Sequence, residues 1–363
     1  MAFNHFHYVP CLKWKTGEYQ AILKMPESMK KMITPLIEVP EYTFDHEERK
    51  KPKTLDHHIE LFIKRVGAKW GGAPCFVDIK NIHNSTNMGN GKSLVAHIYE
   101  ELFQNNCSPI LVTGVERADA FQAEIINVLA KNSSADLCLR LPLEEFAKNG
   151  FEKRLQLLLE RMKIGINKVH LIIDLGAPNF IPLDGFFKAI QESIYRYLNP
   201  KDWMTFSIVG TSMPNIIKQG VSILPRYEWK LYKTIINQCK KEGLRLPAFG
   251  DYAVTYPSVT PDLDWTKISS SAKMKYTIDD GWYLVKGKSL RDGPPTQFHD
   301  MCRDLVGSSY YSGQKYSFGD QFIQKCATDK SVKTRNHTLW VTAGTNHHLV
   351  KVALDIANLY ASS

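Results

Sequence analysis

Residues 74–81, PCFVDIKN, read as a strand that puts two charged side chains on one face. Alternation sends Phe76, Asp78 and Lys80 to one side and Val77 and Ile79 to the other. An ordinary two-layer sheet has no place for that pairing. A closed parallel barrel has one, because its strands aim apolar residues outward at helices and polar residues inward at the mouth formed by their C-terminal ends.

Working outward from this stretch, strand signals recur at 8–15, 35–40, 109–115, 137–143, 169–175, 203–210 and 248–255. Helix-length segments separate them, at about 18–33, 55–70, 93–103, 118–131, 152–163, 185–197 and from about 227. In one of these, Leu155, Leu158, Leu159 and Met162 recur at helical spacing, the stripe of a helix that faces a sheet. Eight such units, with no nucleotide-type glycine fingerprint at a crossover, predict a TIM-like (β/α)8 barrel rather than an open doubly wound sheet.

Beyond Pro257 the pattern changes. Residues 273–286 read as a hairpin turning at Asp280-Gly281, short helices follow near 296–306 and 317–326, and an amphipathic helix at about 346–360 closes the chain. The expected organisation is a barrel core over 1–257, a hairpin and short-helix insertion over 258–343, and a C-terminal helix, 344–363, that packs back as the eighth outer helix.

The chain has 363 residues, 44% of them hydrophobic, enough for a sizeable core. Its 46 basic and 37 acidic residues give a net charge of +9, which attracts anionic partners, nucleic acid among them, without identifying one. The seven cysteines are scattered and never form a CxxC pair, which argues against a disulfide framework and a zinc ribbon. With no apolar run of membrane-spanning length and no signal-like N-terminus, the chain is expected to be cytoplasmic and off the membrane.

Strand parity gathers Lys13, Lys15, Glu38, Asp78, Lys80, Thr113, Arg140, Asp174 and Asp251 around one mouth. Unpaired buried ions are too costly to keep, so this set is either a mutually neutralising network or a site that meets a charged ligand. Asp78-x-Lys80 is similar to the DxK strand motif of orotidine monophosphate decarboxylase barrels, but His83 stands where their second aspartate is expected. Residues 86–93, TNMGNGKS, look like a phosphate-cradling GxxxxGK[ST] loop with Thr86 in place of the first glycine; an ordinary helix start is the alternative. His347 and His348 are possible bases, though adjacent helical residues diverge by about 100° and do not share one metal.

The pieces YVPCLKWKTGEYQA, PLIEVP, FVDIK, PRYEW at 225–229, AFGDYAV at 248–254, YTIDDGWYLVKG, YSFGDQFI and GTNHHL together resemble the beta protein family of phages, prophages and bacterial genomes. The resemblance spans nearly the full length. It implies a role in phage defence or inter-phage competition, without a catalytic assignment, and directs attention to Lys13, Glu38, Asp78, Lys80, Glu228, Asp251, Asp320 and His347.

Two functions compete. In the first, the barrel mouth is an enzyme site for an anionic, phosphate-bearing substrate such as a nucleotide or nucleic acid, with hydrolysis as the chemistry. Lys13, Lys15, Glu38, Arg140, Thr211 and Arg226 would bind; Asp78, Lys80, Asp174, Asp251, Glu228 and His347 would be catalytic, and the carboxylates could hold a Mg-like cation. In the second, the chain is a non-catalytic module that binds nucleic acid or a phage protein, or a partner protein of a defence system. Its surface would be the hairpin at 267–291, where Lys267, Lys273, Lys275, Lys286, Lys288 and Arg291 accompany Tyr276, Trp282 and Tyr283.

Overall fold

The computed structural model describes residues 2–45, 47–48, 50–82, 87–132, 135–257 and 270–361, the side chains of residues 195 and 196 excepted. Parallel strands β1 (Tyr8–Leu12), β2 (Leu36–Glu38), β3 (Pro74–Asp78), β4 (Ser108–Thr113), β5 (Leu137–Pro142), β6 (Val169–Asp174) and β7 (Thr205–Val209) follow one another around a closed barrel. The eighth stave, β9 (Ala248–Asp251), pairs with β7 on one side and β1 on the other. The expected TIM-like barrel is the fold.

Seven of the connecting helices are α1 (Thr16–Leu23), α3 (Leu55–Lys69), α4 (Leu94–Gln104), α5 (Asp119–Lys131), α6 (Phe151–Met162), α7 (Leu183–Tyr197) and α8 (Tyr227–Glu242), with a single-turn α2 (Glu27–Lys30) after the first. The continuous helix expected at 18–33 is therefore two pieces. Pro26 divides them, since proline inside a helix removes a hydrogen bond and crowds the preceding turn.

Strand parity builds the core. Leu137, Leu139 and Leu141 of β5 point outward into a layer that includes Leu155, Leu158 and Met162 of α6. Val9, Cys11, Leu36, Phe76, Val112, Cys138, Ile172 and Val209 point inward and fill the barrel. Gly250 is where β9 comes closest to its neighbours: a Cβ there would lie 2.5 Å from a Val209 methyl and 2.6 Å from the Val9 carbonyl oxygen.

A second unit stands on the mouth side. The expected hairpin is present as β10 (Ser271–Ile278) and β11 (Gly281–Ser289), but it is part of a three-stranded sheet. The third strand, β8 (Gly220–Pro225), comes from the loop between β7 and α8, which the sequence reading left without structure. Helices α9 (Gln297–Val306) and α10 (Phe318–Thr328) cover one face of this sheet, burying Met274, Tyr276, Phe298, Leu305 and Ile323. Met213, Ile217, Val254, Trp282 and Leu284 form an apolar seam between the other face and the barrel loops.

The last helix, α11 (His337–Ala361), begins well before the expected 346 and serves both units. Trp340 lies in the core of the appended sheet, whereas Leu349, Val352 and Ile356 lie in the outer layer of the barrel. All seven cysteines are free and buried, in keeping with small hydrophobes. Among the described residues no helix is long and apolar enough to cross a membrane.

Candidate functional site

The inward ends of β2, β3, β5 and β6 bring Glu38, Asp78, Arg140 and Asp174 together, as parity required. Arg140 is 2% exposed and uses its whole fork. Its Nη1 donates to Glu38 Oε1 at 2.8 Å and Asp78 Oδ2 at 2.7 Å, its Nε to Asp174 Oδ2 at 2.8 Å, and its Nη2 to the Tyr252 hydroxyl at 2.8 Å. Tyr252 in turn donates to Asp174 at 2.7 Å. Above this layer Lys80 Nζ reaches Glu38 at 2.5 Å and Arg117 Nη2 donates to both oxygens of Asp78 at 3.1 Å.

Burial alone would raise the Asp78 carboxyl, but Arg117, Arg140 and Lys80 outweigh it and hold it down at about 2. Asp174 is likewise lowered, by Arg140 and Lys80 against burial. The inner layer is thus a closed ion network whose carboxylates are already engaged. Among the described residues no group of three or more His, Cys, Asp or Glu side chains could hold a metal ion.

The rim differs. Lys13 and Lys15 line a small cleft of about 20 Å³ with Glu38, Glu41 and Asn81. A larger cavity of about 200 Å³ opens between the loops after β7 and β9, β10 and the start of α11, and Asn215, Thr255, Lys273, Lys275 and His337 are among its walls. Alternation explains the lysines: Ala272, Met274 and Tyr276 enter the appended core, so Lys273 and Lys275 face the barrel. Lys275 Nζ donates to the Val254 carbonyl at 2.6 Å. Burial, reinforced by Lys273, pushes its ammonium down to about 8.

Glu18, in the first turn of α1 just above β1, is 2% exposed, and its Oε1 is buried without a hydrogen-bond partner. Burial raises its carboxyl to about 7, against the pull of Lys13 and Lys15. Parity could not have found Glu18 or Arg117, which lie past the strand ends. Tyr252 could have been found, since its inward register continues Ala248 and Gly250.

That register corrects the placement of Asp251. It points outward, where Tyr8 donates to its Oδ1 at 2.5 Å and His348 Nε2 lies 2.8 Å from its Oδ2. Burial opposes its ionisation, but His348 and Arg226 together with the Tyr8 bond lower its pKa. Thr113 also faces outward, on the parity of Leu111, because Ile110 and Val112 take the interior. Arg226, Glu228 and His347 are away from the mouth too. Arg226 is fully buried, with Asp251 at 3.7 Å, Glu228 at 3.3 Å and its guanidinium against Trp229 and Trp282. Glu228 accepts from Ser212 N at 2.9 Å. His347 lies between Asp320, at 2.9 Å, and the Thr277 carbonyl, at 2.8 Å, beneath the stacked ring of Tyr276.

Thr211 is buried in the loop after β7, where its hydroxyl accepts from Met213 N at 3.0 Å. The glycine loop before α4 is engaged locally: Asp56 accepts from Gly89 N, Asn90 from Lys92 N, and Ser93 caps the helix. His83 and Thr86 lie outside the described residues, as does Lys267.

The seam at β9, β10, α8 and α11 therefore collects the pieces PRYEW, AFGDYAV, YTIDDGWYLVKG, YSFGDQFI and GTNHHL in one buried polar network. A family profile matches residues 8–354 under the description Beta protein. The chain belongs to the Beta protein family. No curated protein matches it. The chain is similar to triosephosphate isomerase from Bartonella henselae at 13% identity, over 68% of this chain and 92% of that one, with a TM-score of 0.35. The catalytic module of a family 98 glycoside hydrolase from Streptococcus pneumoniae is 12% identical, over 72% of this chain and 49% of its own, with a TM-score of 0.40. The barrel is established by the closed eight-stranded sheet itself.

Proposed function

We propose that the barrel mouth takes up an anionic, phosphate-bearing ligand, with a phosphate group seated in the cavity beside Lys273 and Lys275. One observation carries this reading: among the described residues neither lysine has a carboxylate partner, although both are half-buried. A lysine held out of water without a counter-ion is unfavourable, and an incoming anion relieves it. The inner network, by contrast, is internally neutralised.

A cavity of about 200 Å³ admits a phosphate group or a short phosphate chain, so a nucleotide or a nucleic-acid end suits it better than a duplex. If the ligand is hydrolysed, Glu18 is the carboxyl with the proton affinity for acid–base work at neutral pH. The association of the family with phages and prophages supports a role in phage defence or inter-phage competition, in the cytoplasm. The hairpin-surface reading has less support, because Tyr276 and Trp282 are 0% exposed and Tyr283 5%, leaving no aromatic platform for bases.

The test is a thermal-shift series with pyrophosphate, nucleoside mono-, di- and triphosphates and short DNA and RNA, repeated with Lys273→Met. A ligand at one hundred times its Kd adds about 2.7 kcal/mol. The expected result is a shift with phosphate compounds that Lys273→Met reduces and salt weakens. No shift with any of them overturns the proposal; a shift with DNA or RNA alone that survives Lys273→Met favours a binding module.

A further inference from the structure

We propose that Lys275 is an imine-forming nucleophile toward a carbonyl compound that carries a phosphate or similar anionic group. This rests on the anion-binding reading of the same cavity and adds a covalent step to it. The amine sits at the cavity wall, anchored among the described residues by a single acceptor, the Val254 carbonyl at 2.6 Å. A lysine amine has further donors and, once neutral, a lone pair to turn toward the cavity. Its cross-strand neighbour on β11 is the buried Leu284, so its surroundings are apolar on that side. Lys273, two residues earlier on the same face, is placed to hold the anionic group.

The charged and titratable groups around Lys275 come from four directions: Lys273 along β10, Lys13 from the end of β1, Glu18 from α1 and His337 from the start of α11. With its ammonium near 8, Lys275 offers at pH 7.5 roughly two hundredfold more neutral amine than an exposed lysine. Glu18, near 7, has one buried carboxylate oxygen without a partner, and its charge acts on both Lys275 and Lys13. An amine at the cavity wall and a carboxyl within electrostatic reach of it, with such values, suit addition and dehydration.

The step balances without an oxidant or reductant. The Nζ lone pair attacks the carbonyl carbon, a C–N bond forms, and the C=O π electrons move to oxygen, which takes up one of the protons that nitrogen gives up. The carbinolamine then loses its hydroxyl as water with a proton supplied from Glu18, the nitrogen lone pair forms C=N, and the remaining N–H proton of the iminium returns to the Glu18 carboxylate.

Pyridoxal 5′-phosphate, an aldehyde bearing a phosphate, is the probe. The full chain is incubated with one equivalent, reduced with borohydride and mapped by peptide mass spectrometry. Lys275 is expected to take at least ten times the label of the exposed Lys163 and Lys241, and pyrophosphate should protect it. Lys275→Arg should abolish that label, and Glu18→Gln should slow labelling at least tenfold. Label spread over exposed lysines without preference for Lys275 overturns the imine; if the pyrophosphate shift persists, anion binding stands, and if it is absent as well, both readings fall. Should Lys275→Arg not fold, the wild-type map alone decides.

Discussion

Replacing Arg140 by methionine asks whether the floor of the mouth is one electrostatic unit. The guanidinium donates to Glu38, Asp78, Asp174 and Tyr252 at 2.7–2.8 Å, out of contact with water. Removing one partner of a buried ion pair costs about 3–5 kcal/mol, because the remaining charge is stranded. Here the stranding is unequal. Asp78 keeps Arg117 and Glu38 keeps Lys80 in direct contact, but among the described residues Asp174 keeps as hydrogen-bond donors only the Tyr252 hydroxyl and the Gly176 N–H, with Lys80 acting on it at longer range.

The loss should therefore lie at the lower end, about 3 kcal/mol, and belong mainly to Asp174. In a chain of this length that is roughly 4 °C in Tm. The pH dependence changes sign as well. In the native protein the Asp174 pKa is lowered, so its contribution is present above about 4 and is lost only in stronger acid. Without Arg140, burial raises that pKa above its unfolded value, the folded state binds more protons, and the variant gains stability as pH falls from about 7.5 to about 5.5. Urea unfolding followed by tryptophan fluorescence at both pH values measures this. The double variant Arg140→Met/Asp174→Asn should recover most of the loss. A loss under about 1 kcal/mol, or a double variant no better than the single one, refutes the assignment.

Three further outcomes are expected. Burial lowers the pKa of His348 against the pull of Asp251, so its share of stability is present above about 6.5 and is lost as pH falls below that value; hydrogen exchange at Thr277 and its β10 neighbours should speed up at pH 5.5 beyond the intrinsic change, and unchanged protection would count against the seam as a pH-sensitive joint. Gly319→Ala would place a Cβ 2.1 Å from the Ala343 carbonyl oxygen, forcing α10 off α11 at about 1–3 kcal/mol in urea unfolding; a neutral result means that the helices yield. Thr54→Ala removes the acceptor for His57 N at the start of α3 and should cost about 1 kcal/mol, measured the same way.

Much of this was legible because the period of a strand is short and strict. The alternation Leu137, Leu139, Leu141 around Arg140 leaves only one inward assignment, and Phe76-Val77-Asp78 behaves the same way. The rule failed at β9, where both parities carry chemistry. Phe249 and Asp251 read as an inward pair, but the interior at that height has room only for Ala248 and Gly250, and Phe249 packs on Trp229 and Tyr232 instead. The strand β8 was missed because Val221 and Ile223 are exposed, so GVSILP lacks the polar outer face that marks an amphipathic strand. Arg117 and Glu18 lie beyond strand ends, where no period constrains direction. Lys273 and Lys275 were recognised as basic, yet only the third strand and the seam beneath it show that they face the barrel.

Because α11 runs through both cores, the order of synthesis bears on how the chain matures. At 25 residues it is about 37 Å long, and Asn346 Nδ2 donates to the Ala21 carbonyl in the very first helical layer of the barrel. A segment made after every barrel strand is thus the one that covers α1, fills the gap beside β1 and anchors the appended sheet through Trp340. Neither core can be completed in advance of the other. The nascent chain must carry an open barrel, with its first strand uncovered, until α11 has been made, and it then closes both cores in a single event.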